Sequence, residues 1–219
     1  MTSSPRNNGK QTADTDKSQG NPLFPVFLKL HQLHTVLIGA GNIGLEKLAA
    51  ILQNSPDAKV TVVALAIIPE VYAIAVEFAG VRIVQKAFSD TDLDEGDIVV
   101  AATNNPELND LIRASARSRR LLVNIADKPE LCDFYLGSIV QKGDLKIAIS
   151  TNGKSPTIAK RLKEVLNEAL PDELDTTLQQ MSRLRDSLSG DFAGKVKTLN
   201  EITSVLVNSP LVPENNSGN

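Results

Sequence analysis

Residues 35–44 have the sequence TVLIGAGNIG, and this stretch decides how the rest of the chain is interpreted. Its aliphatic, β-branched beginning predicts a buried parallel strand. Gly39, Gly41 and Gly44 follow in the spacing G-x-G-x-x-G, and the next segment carries apolar residues at helical spacing. Glycines between a strand and a helix let the backbone approach a pyrophosphate at the helix N-terminus. We therefore predict that these three glycines bind a dinucleotide.

The same alternation of strand and helix continues downstream. Further strand-like segments are KVTVVAL, VRIVQ, DIVVAAT and LLVNIA, at residues 59–65, 81–85, 97–103 and 121–126. The helical patterns between them are NIGLEKLAAILQN, IPEVYAIAVEFAG and PELNDLIRASARSRR, at residues 42–54, 68–80 and 106–120. This alternation is typical of a doubly wound parallel sheet. We predict an α/β, Rossmann-like NAD-binding domain over residues 22–126.

The pattern changes after residue 126. The segment SIVQKGDLKIAIS, residues 138–150, predicts two strands joined by a turn at residues 142–144. Ser155 is a predicted helix N-cap, and Pro156 fits the first turn of the helix that follows. We predict a small dimerisation and active-site segment over residues 127–155 and a helical domain over residues 156–210.

Three amphipathic stripes run through the predicted helical domain, and they begin at Ile158, Leu174 and Phe192. Short amphipathic helices are not stable alone, so each apolar face must pack on the nucleotide domain or on another subunit. A homodimer built through this region is therefore expected.

Composition excludes several classes of protein. The 219 residues carry a formal net charge of −3, whereas nucleic-acid-binding domains usually carry a basic excess. The single cysteine, Cys132, cannot form an internal disulfide and fits the reducing cytoplasm. The apolar runs are too short for a bilayer, so we predict a soluble cytoplasmic protein. His31 and His34 lack companion ligands, so no metal site is predicted. The polar ends, residues 1–21 and 211–219, are predicted to be disordered.

The second predicted strand ends in Leu65 and Ala66. NAD-binding sheets usually carry an acidic residue at this place to hold the ribose hydroxyls, and an arginine nearby accommodates the 2′-phosphate of NADP. The sequence VVALA has neither. The ribose would then be held mainly by backbone groups of Leu65 and Ala66, and these residues alone leave the choice between NAD and NADP open.

Five motifs occur in an order that resembles one family. They are LFPVFLKL, IGAGNIGLEKLAAIL, AATNNPELN, VNIADKPELCDF and IAISTNGKSPTIAKRLKE. Together they resemble the precorrin-2 dehydrogenases, whose module also forms the N-terminal part of siroheme synthases. The resemblance implies NAD-dependent oxidation of precorrin-2 to sirohydrochlorin, and it leaves open a second activity that inserts ferrous iron into the product.

The resemblance also implies roles for particular residues. Asp127 matches the aspartate at the family's reaction centre, although a cap or turn before Pro129 is an alternative. Asn42 and Ile43 match pyrophosphate-side cofactor positions, Leu65 and Ala66 match ribose-side positions, and Thr103 and Asn104 would lie near the nicotinamide ribose. The loop before the last helical region matches a substrate loop of the family and ends on a helix N-terminus, which favours carboxylates; its candidate substrate-binding residues are Thr151, Asn152, Gly153, Lys154 and Ser155. The acidic substrate also needs cationic hosts, and the candidates for these are Lys154, Lys160 and Arg161. A second basic group comprises Arg113, Arg117, Arg119 and Arg120.

A nucleotide-sensing regulatory module is the alternative from another class. Such modules share the glycine-rich turn but usually keep the acidic residue after the second strand, which is absent here. They would also leave the motifs around Asp127 and Ser155 unexplained. Cys132 lies close to Asp127, but without a nearby histidine it is interpreted as a small buried apolar residue.

Overall fold

The computed structural model describes residues 20–189 and 191–208, apart from the side chains of residues 205–208. Five parallel strands form one sheet in the order β3-β2-β1-β4-β5. This order reverses between β1 and β4, as in a Rossmann fold, so the predicted doubly wound sheet is confirmed. The strands are β1 (His34–Ala40), β2 (Lys59–Ile67), β3 (Val81–Gln85), β4 (Ile98–Ala101) and β5 (Leu122–Ile125).

Helices cover both faces of this sheet. They are α1 (Asn42–Asn54), α2 (Pro69–Glu77) and α3 (Pro106–Ser118). One face packs against Leu48 and Leu52 of α1, and the other packs against Ile112 of α3; all three side chains are buried. The strands are therefore buried on both faces, which explains why their sequences are apolar without alternation.

Helix α2 ends earlier than its sequence predicts. The apolar pattern extends to Gly80, but the helix stops at Glu77 because Phe78 takes an extended conformation. The chain then turns sharply into β3, and the backbone oxygen of Gly80 accepts a hydrogen bond from the N–H of Val60 at 2.9 Å. A Cβ at residue 80 would lie 2.3 Å from the backbone oxygen of Ala58, so this close approach requires glycine.

The predicted hairpin and helical region are also present. The antiparallel strands β6 (Ser138–Lys142) and β7 (Leu145–Ile149) are joined by a two-residue turn. The turn is fixed by Asp175, whose Oδ1 accepts a hydrogen bond from the N–H of Asp144 at 2.9 Å. Lys142 forms a hydrogen-bonded ion pair with Asp172. The hydrogen bond and the positive charge of Lys142 lower the pKa of the Asp172 carboxyl. The helices are α4 (Pro156–Ala169), α5 (Leu174–Ser187) and α6 (Phe192–Asn208).

Helix α4 packs on the hairpin rather than on the Rossmann sheet. Its buried contact is Ala159, and Val140 of β6 is also buried. The predicted apolar stripe of α4 faces outward instead: Ile158, Leu162 and Val165 are 53%, 44% and 59% exposed. Within this chain these three side chains are therefore uncovered, and packing on another subunit stays the prediction for them.

The predicted disordered tails lie outside the described residues, except for residues 20 and 21. So does the end of the third stripe, because the side chain of Leu206 is not described. In the described ranges, no helix combines the length and the apolar character that crossing a membrane requires.

Candidate active site

A cavity of about 590 Å³ lies where β1, β2 and β4 end. Ligands of open α/β sheets bind at this edge, next to the point where the strand order reverses. The residues predicted from the sequence that line the cavity are Gly39, Gly41, Asn42, Ile43, Leu65, Ala66, Thr103 and Asn104. The lining residues that the sequence interpretation missed are Ile38, Ala40, Val63, Ala64, Ala87, Phe88, Ala102 and Leu108.

The glycine turn has the shape that a dinucleotide requires. Gly39 has a φ of +104°, and a Cβ there would lie 2.3 Å from the backbone oxygen of Ala102. Gly44 does not line the cavity; a Cβ there would lie 2.2 Å from the oxygen of Gly39, so it allows α1 to pack closely on β1. Around Gly41, by contrast, no described atom would lie within 4 Å of an added Cβ. This open side faces the N-terminus of α1, where backbone N–H groups can bind a pyrophosphate.

The ribose edge of the cavity is electrically neutral. The carbonyl oxygen of Leu65 accepts a hydrogen bond from Nε2 of Gln85 at 3.2 Å, and Oε1 of Gln85 accepts one from the Tyr72 hydroxyl at 3.1 Å. No arginine or carboxylate occurs among the described lining residues. Lys86, close by in the sequence, is not among the lining residues; it forms an ion pair with Asp92 at 2.6 Å. Burial opposes ionisation of Asp92, but the hydrogen bonds from Lys86 and Ser89 hold its pKa below the usual value.

Asp127 lies in a tight turn directly after β5. The N–H of Lys128 donates to the oxygen of Ile125 at 3.3 Å, and the N–H of Ala126 donates to the oxygen of Ala101 at 2.9 Å. Asp127 occupies the third position of this turn with a φ of +59°, which for a non-glycine residue costs roughly 1–2 kcal/mol. Its side chain is exposed and does not line the cavity, although it follows the strand next to β4.

The segment after this turn is fastened to β5 by polar contacts. The sulfur of Cys132 lies 3.2 Å from both the backbone N and O of Ile125 and 3.2 Å from the oxygen of Lys128. Asp133 exchanges hydrogen bonds with Val123, and Nδ2 of Asn124 donates to the oxygen of Phe134 at 2.8 Å. We call Asn124, Cys132 and Asp133 the β5 clasp. It holds the Asp127 turn at the edge of the sheet.

Cys132 is half-buried, and it is also hydrogen-bonded rather than purely apolar as the sequence suggested. Burial raises the pKa of its thiol. The thiol is therefore protonated near neutral pH and can donate within the clasp.

The raised pKa predicts how stability changes at alkaline pH. The unfolded thiol ionises at about pH 8.5, whereas the folded thiol holds its proton to higher pH. Its contribution is complete below the unfolded pKa and is lost as pH rises through the folded pKa. Urea unfolding at pH 7 and pH 10 should show a larger loss of stability for the wild type than for Cys132→Ser. Equal losses in the two proteins would contradict this role.

The predicted substrate loop is held by hydrogen bonds among its own residues. Oγ of Ser155 accepts from the N–H of Ile158 at 3.2 Å, which confirms the predicted N-cap. The hydroxyl of Thr151 accepts a hydrogen bond from the N–H of Ser155 at 3.2 Å and donates one to the backbone oxygen of Ser155 at 3.1 Å. Asn152 and Gly153 provide the left-handed turn between them, with φ values of +53° and +72°. The side chains of Thr151 and Ser155 therefore shape the loop.

The cationic candidates are exposed on or beside α4. Lys154, Lys160 and Arg161 all face solvent, and Arg161 lies 3.4 Å from Glu164 in a weak ion pair. In the part of the chain described, no hydrogen bond or ion pair joins residues 151–155 to Asp127. The single chain thus brings the predicted cofactor residues other than Gly44 to one cavity, which Asp127 and residues 151–155 do not line.

The second basic group is dispersed. Arg119 binds Asp94 at 2.8 Å and the oxygens of Ser115, so it stabilises the end of α3. Arg113 is half-buried, and its charge acts on the Cys132 thiol. The remaining two, Arg117 and Arg120, are exposed.

His34 is held by hydrogen bonds within the fold, whereas His31 is exposed. His34 lies 2.8 Å from the oxygen of Glu95 and 2.8 Å from Oγ1 of Thr61. Across the described residues, no group of three or more potential ligands could hold a metal ion.

Comparison with known families defines the class of the protein. Residues 26–138 match the family profile of NAD(P)-binding domains, and residues 142–168 match the central region of sirohaem biosynthesis proteins. The first match covers just over half of the chain, so the chain belongs to this NAD(P)-binding family.

Individual relatives narrow this class further. A siroheme synthase of Thioalkalivibrio sulfidiphilus is 33% identical over 68% of this chain and 30% of its own length. The siroheme synthase of Citrobacter koseri is 32% identical over 78% of this chain and 36% of its own length. The chain thus spans about a third of the length of these curated relatives.

A solved structure matches most of the chain. SirC, a precorrin-2 dehydrogenase, is similar with a TM-score of 0.68 and 26% identity, over 82% of this chain and 89% of that one. These comparisons confirm the resemblance that the five motifs indicate.

Proposed function

We propose that this protein oxidises precorrin-2 to sirohydrochlorin with NAD as the electron acceptor. The observation that carries the proposal is the similarity to SirC, which extends over the sheet, the hairpin and the helices that follow. The described site supports it independently. A cavity suited to a dinucleotide and an exposed carboxylate, Asp127, lie at the ends of neighbouring strands.

The oxidation removes a hydride and a proton from the macrocycle. Bound NAD would supply the hydride acceptor. Gly41, Asn42 and the first amides of α1 would hold its pyrophosphate, and the backbone of Leu65 and Ala66 would hold a ribose. Asp127 would accept the proton, because its exposed carboxylate follows β5, directly beside the β4 end of the cavity.

The carboxylate side arms of the substrate require cations. Lys154 lies at the N-terminus of α4, where the helix dipole adds to its charge, and Lys160 and Arg161 follow on the first turns of that helix. These three side chains are our proposed anchors. Neither Asp127 nor these three cations line the cofactor cavity, and we propose that a second chain completes the substrate site.

We therefore propose a homodimer that covers the α4 stripe. Ile158, Leu162 and Val165 form an apolar row that solvent reaches in the single chain. Replacing Leu162 by glutamate should give a monomer in size-exclusion chromatography with light scattering, because the charge would be buried at the interface. NADH affinity should be unchanged. A Leu162→Glu protein that stays dimeric would overturn this interface, and Lys163→Glu serves as the control on the same helix.

The nucleotide-sensing alternative is not favoured, because the sensor class leaves the sirohaem-related match unexplained. A titration with sirohydrochlorin separates the two. An enzyme of this class should bind the pigment and change its visible spectrum, whereas a sensor should leave the spectrum unchanged.

Iron insertion into the product stays a prediction, with iron as a substrate rather than a resident metal. The cytoplasmic location stays a proposal that the free thiol of Cys132 supports, and the domain boundaries stay predictions.

A further inference from the structure

A buried amide lies directly behind the cofactor cavity. Asn109, on the first turn of α3, is only 3% exposed although its side chain is polar. Its carboxamide contacts a single cavity residue twice. Oγ1 of Thr103 donates to Oδ1 of Asn109 at 2.6 Å, and Nδ2 of Asn109 donates to the backbone oxygen of Thr103 at 3.2 Å.

These two contacts fix the orientation of both groups. Turning the carboxamide over would place its oxygen against the carbonyl oxygen of Thr103, and two acceptors cannot bond. Oδ1 of Asn109 must therefore receive the hydroxyl hydrogen of Thr103. The longer contact from that hydroxyl to the oxygen of Asn105, 3.4 Å, is the weaker alternative. The hydroxyl oxygen of Thr103 has thus used its only hydrogen, so towards a ligand it can only accept a hydrogen bond.

The loop between β4 and α3, which we call the Thr103 loop, forms one wall of the cavity. The N–H of Ala102 donates to the oxygen of Ile38 at 2.7 Å. The backbone oxygen of Ala102 lies so close to Gly39 that a Cβ there would be 2.3 Å away. Thr103 and Asn104 then line the cavity beyond β4. Because the adenosine ribose of a dinucleotide lies over the end of β2, the β4 side receives the other half of the cofactor.

We propose that Asn109 is a positioning residue for the nicotinamide half of the dinucleotide. It holds the Thr103 loop in place and presents the Thr103 hydroxyl oxygen as an acceptor to a donor on that half, such as a ribose hydroxyl. Asn109 itself is buried behind Thr103 and acts through it. The inference deepens the proposed function at the same site and rests on the binding of NAD.

The test compares two ligands by direct binding. NADH fills both halves of the site, whereas ADP carries only the adenosine and pyrophosphate half. Asn109→Ala should weaken NADH binding about tenfold, the effect of losing a buried hydrogen-bonded pair, and should change ADP binding less than about twofold. Thr103→Val removes the hydroxyl at constant shape and should have a similar effect, while Thr103→Ser should bind NADH like the wild type.

A double variant and a matched control complete the design. If Asn109 acts through Thr103, Asn109→Ala combined with Thr103→Val should bind NADH nearly as well as either single variant. Ile112→Val, a buried change on the same helix, should lower stability without altering NADH affinity. The chain contains no tryptophan, so NADH fluorescence reports binding without that background.

Two results would overturn the inference. One is unchanged NADH affinity in both Asn109→Ala and Thr103→Val, and the other is an equal loss of NADH and ADP affinity, which would indicate a general structural effect. Neither measurement uses precorrin-2. Failure of the proposed reaction would therefore leave this result intact, and failure here would not affect that reaction.

Discussion

Replacing Asp127 by asparagine is expected to lower kcat for precorrin-2 by about 10²- to 10⁴-fold, the usual contribution of a positioned general base. Affinity for NADH should not change, because Asp127 does not line the cofactor cavity. Asparagine has the same shape and also tolerates the left-handed conformation, in which Asp127 has a φ of +59°. The turn is thus preserved, but the amide cannot accept a proton near neutral pH.

The β5 clasp provides the control for this variant. Asp133 carries a carboxylate six residues further along, but its Oδ2 accepts a hydrogen bond from the N–H of Val123 at 3.1 Å. Asp133→Asn keeps an acceptor oxygen but loses its negative charge, so it should lower the free energy of unfolding only slightly, while kcat of the folded protein stays within a few-fold of wild type. Steady-state rates of both variants, measured with stability by urea unfolding, separate the two roles. An Asp127→Asn enzyme with nearly full kcat would mean that another group accepts the proton.

Gly41→Val is the second change with a large expected effect. No described atom would lie within 4 Å of a Cβ at this position, so the fold should tolerate the side chain. The side chain would instead occupy the open side of the glycine turn, where the pyrophosphate must approach α1. We expect NADH affinity to fall by about 100-fold or more, the loss of roughly two charge-assisted hydrogen bonds. The melting temperature without ligand should stay close to that of the wild type.

Gly39→Ala is the matched contrast. It also adds a side chain to a glycine of the turn, but it should lower stability rather than block the cofactor. Its Cβ would lie 2.3 Å from the oxygen of Ala102, at a residue with a φ of +104°. We expect a loss of roughly 2–4 kcal/mol in the free energy of unfolding, from backbone strain and forced displacement. Thermal melts and NADH titrations of both variants test the pair. A Gly41→Val protein that binds NADH normally would show that the pyrophosphate does not cross this turn.

Much of the fold could be predicted because its signals are local. The strand, glycines and helix of residues 35–54 carry their own pattern, and so do Ser155 and Pro156 at the start of α4. The end of α2 could not be predicted, because it depends on the contact between Gly80 and β2 rather than on the apolar spacing of α2. The exposure of the α4 stripe likewise depends on which face of the helix the hairpin covers.

In the candidate site, too, the residues with a local sequence signal could be predicted, and those that depend on contacts between segments could not. Gly39, Gly41, Thr103 and Asn104 were identified by motif, and they do line one cavity. Phe88 was missed, although it follows β3 closely, because its place at the cavity requires the order of the strands in the sheet. Asn109 and the β5 clasp act through hydrogen bonds between segments, and neither residue spacing nor composition contains that information.

Anaerobic incubation of the wild-type protein with precorrin-2 and NAD tests the central claim most directly. NADH and sirohydrochlorin can be followed together by their absorption spectra. Our account predicts that the two appear in equal amounts as precorrin-2 disappears, and that Asp127→Asn binds NADH but forms neither product at a comparable rate. A wild-type protein that binds NADH and leaves precorrin-2 unchanged would contradict the account and would favour a nucleotide-sensing role.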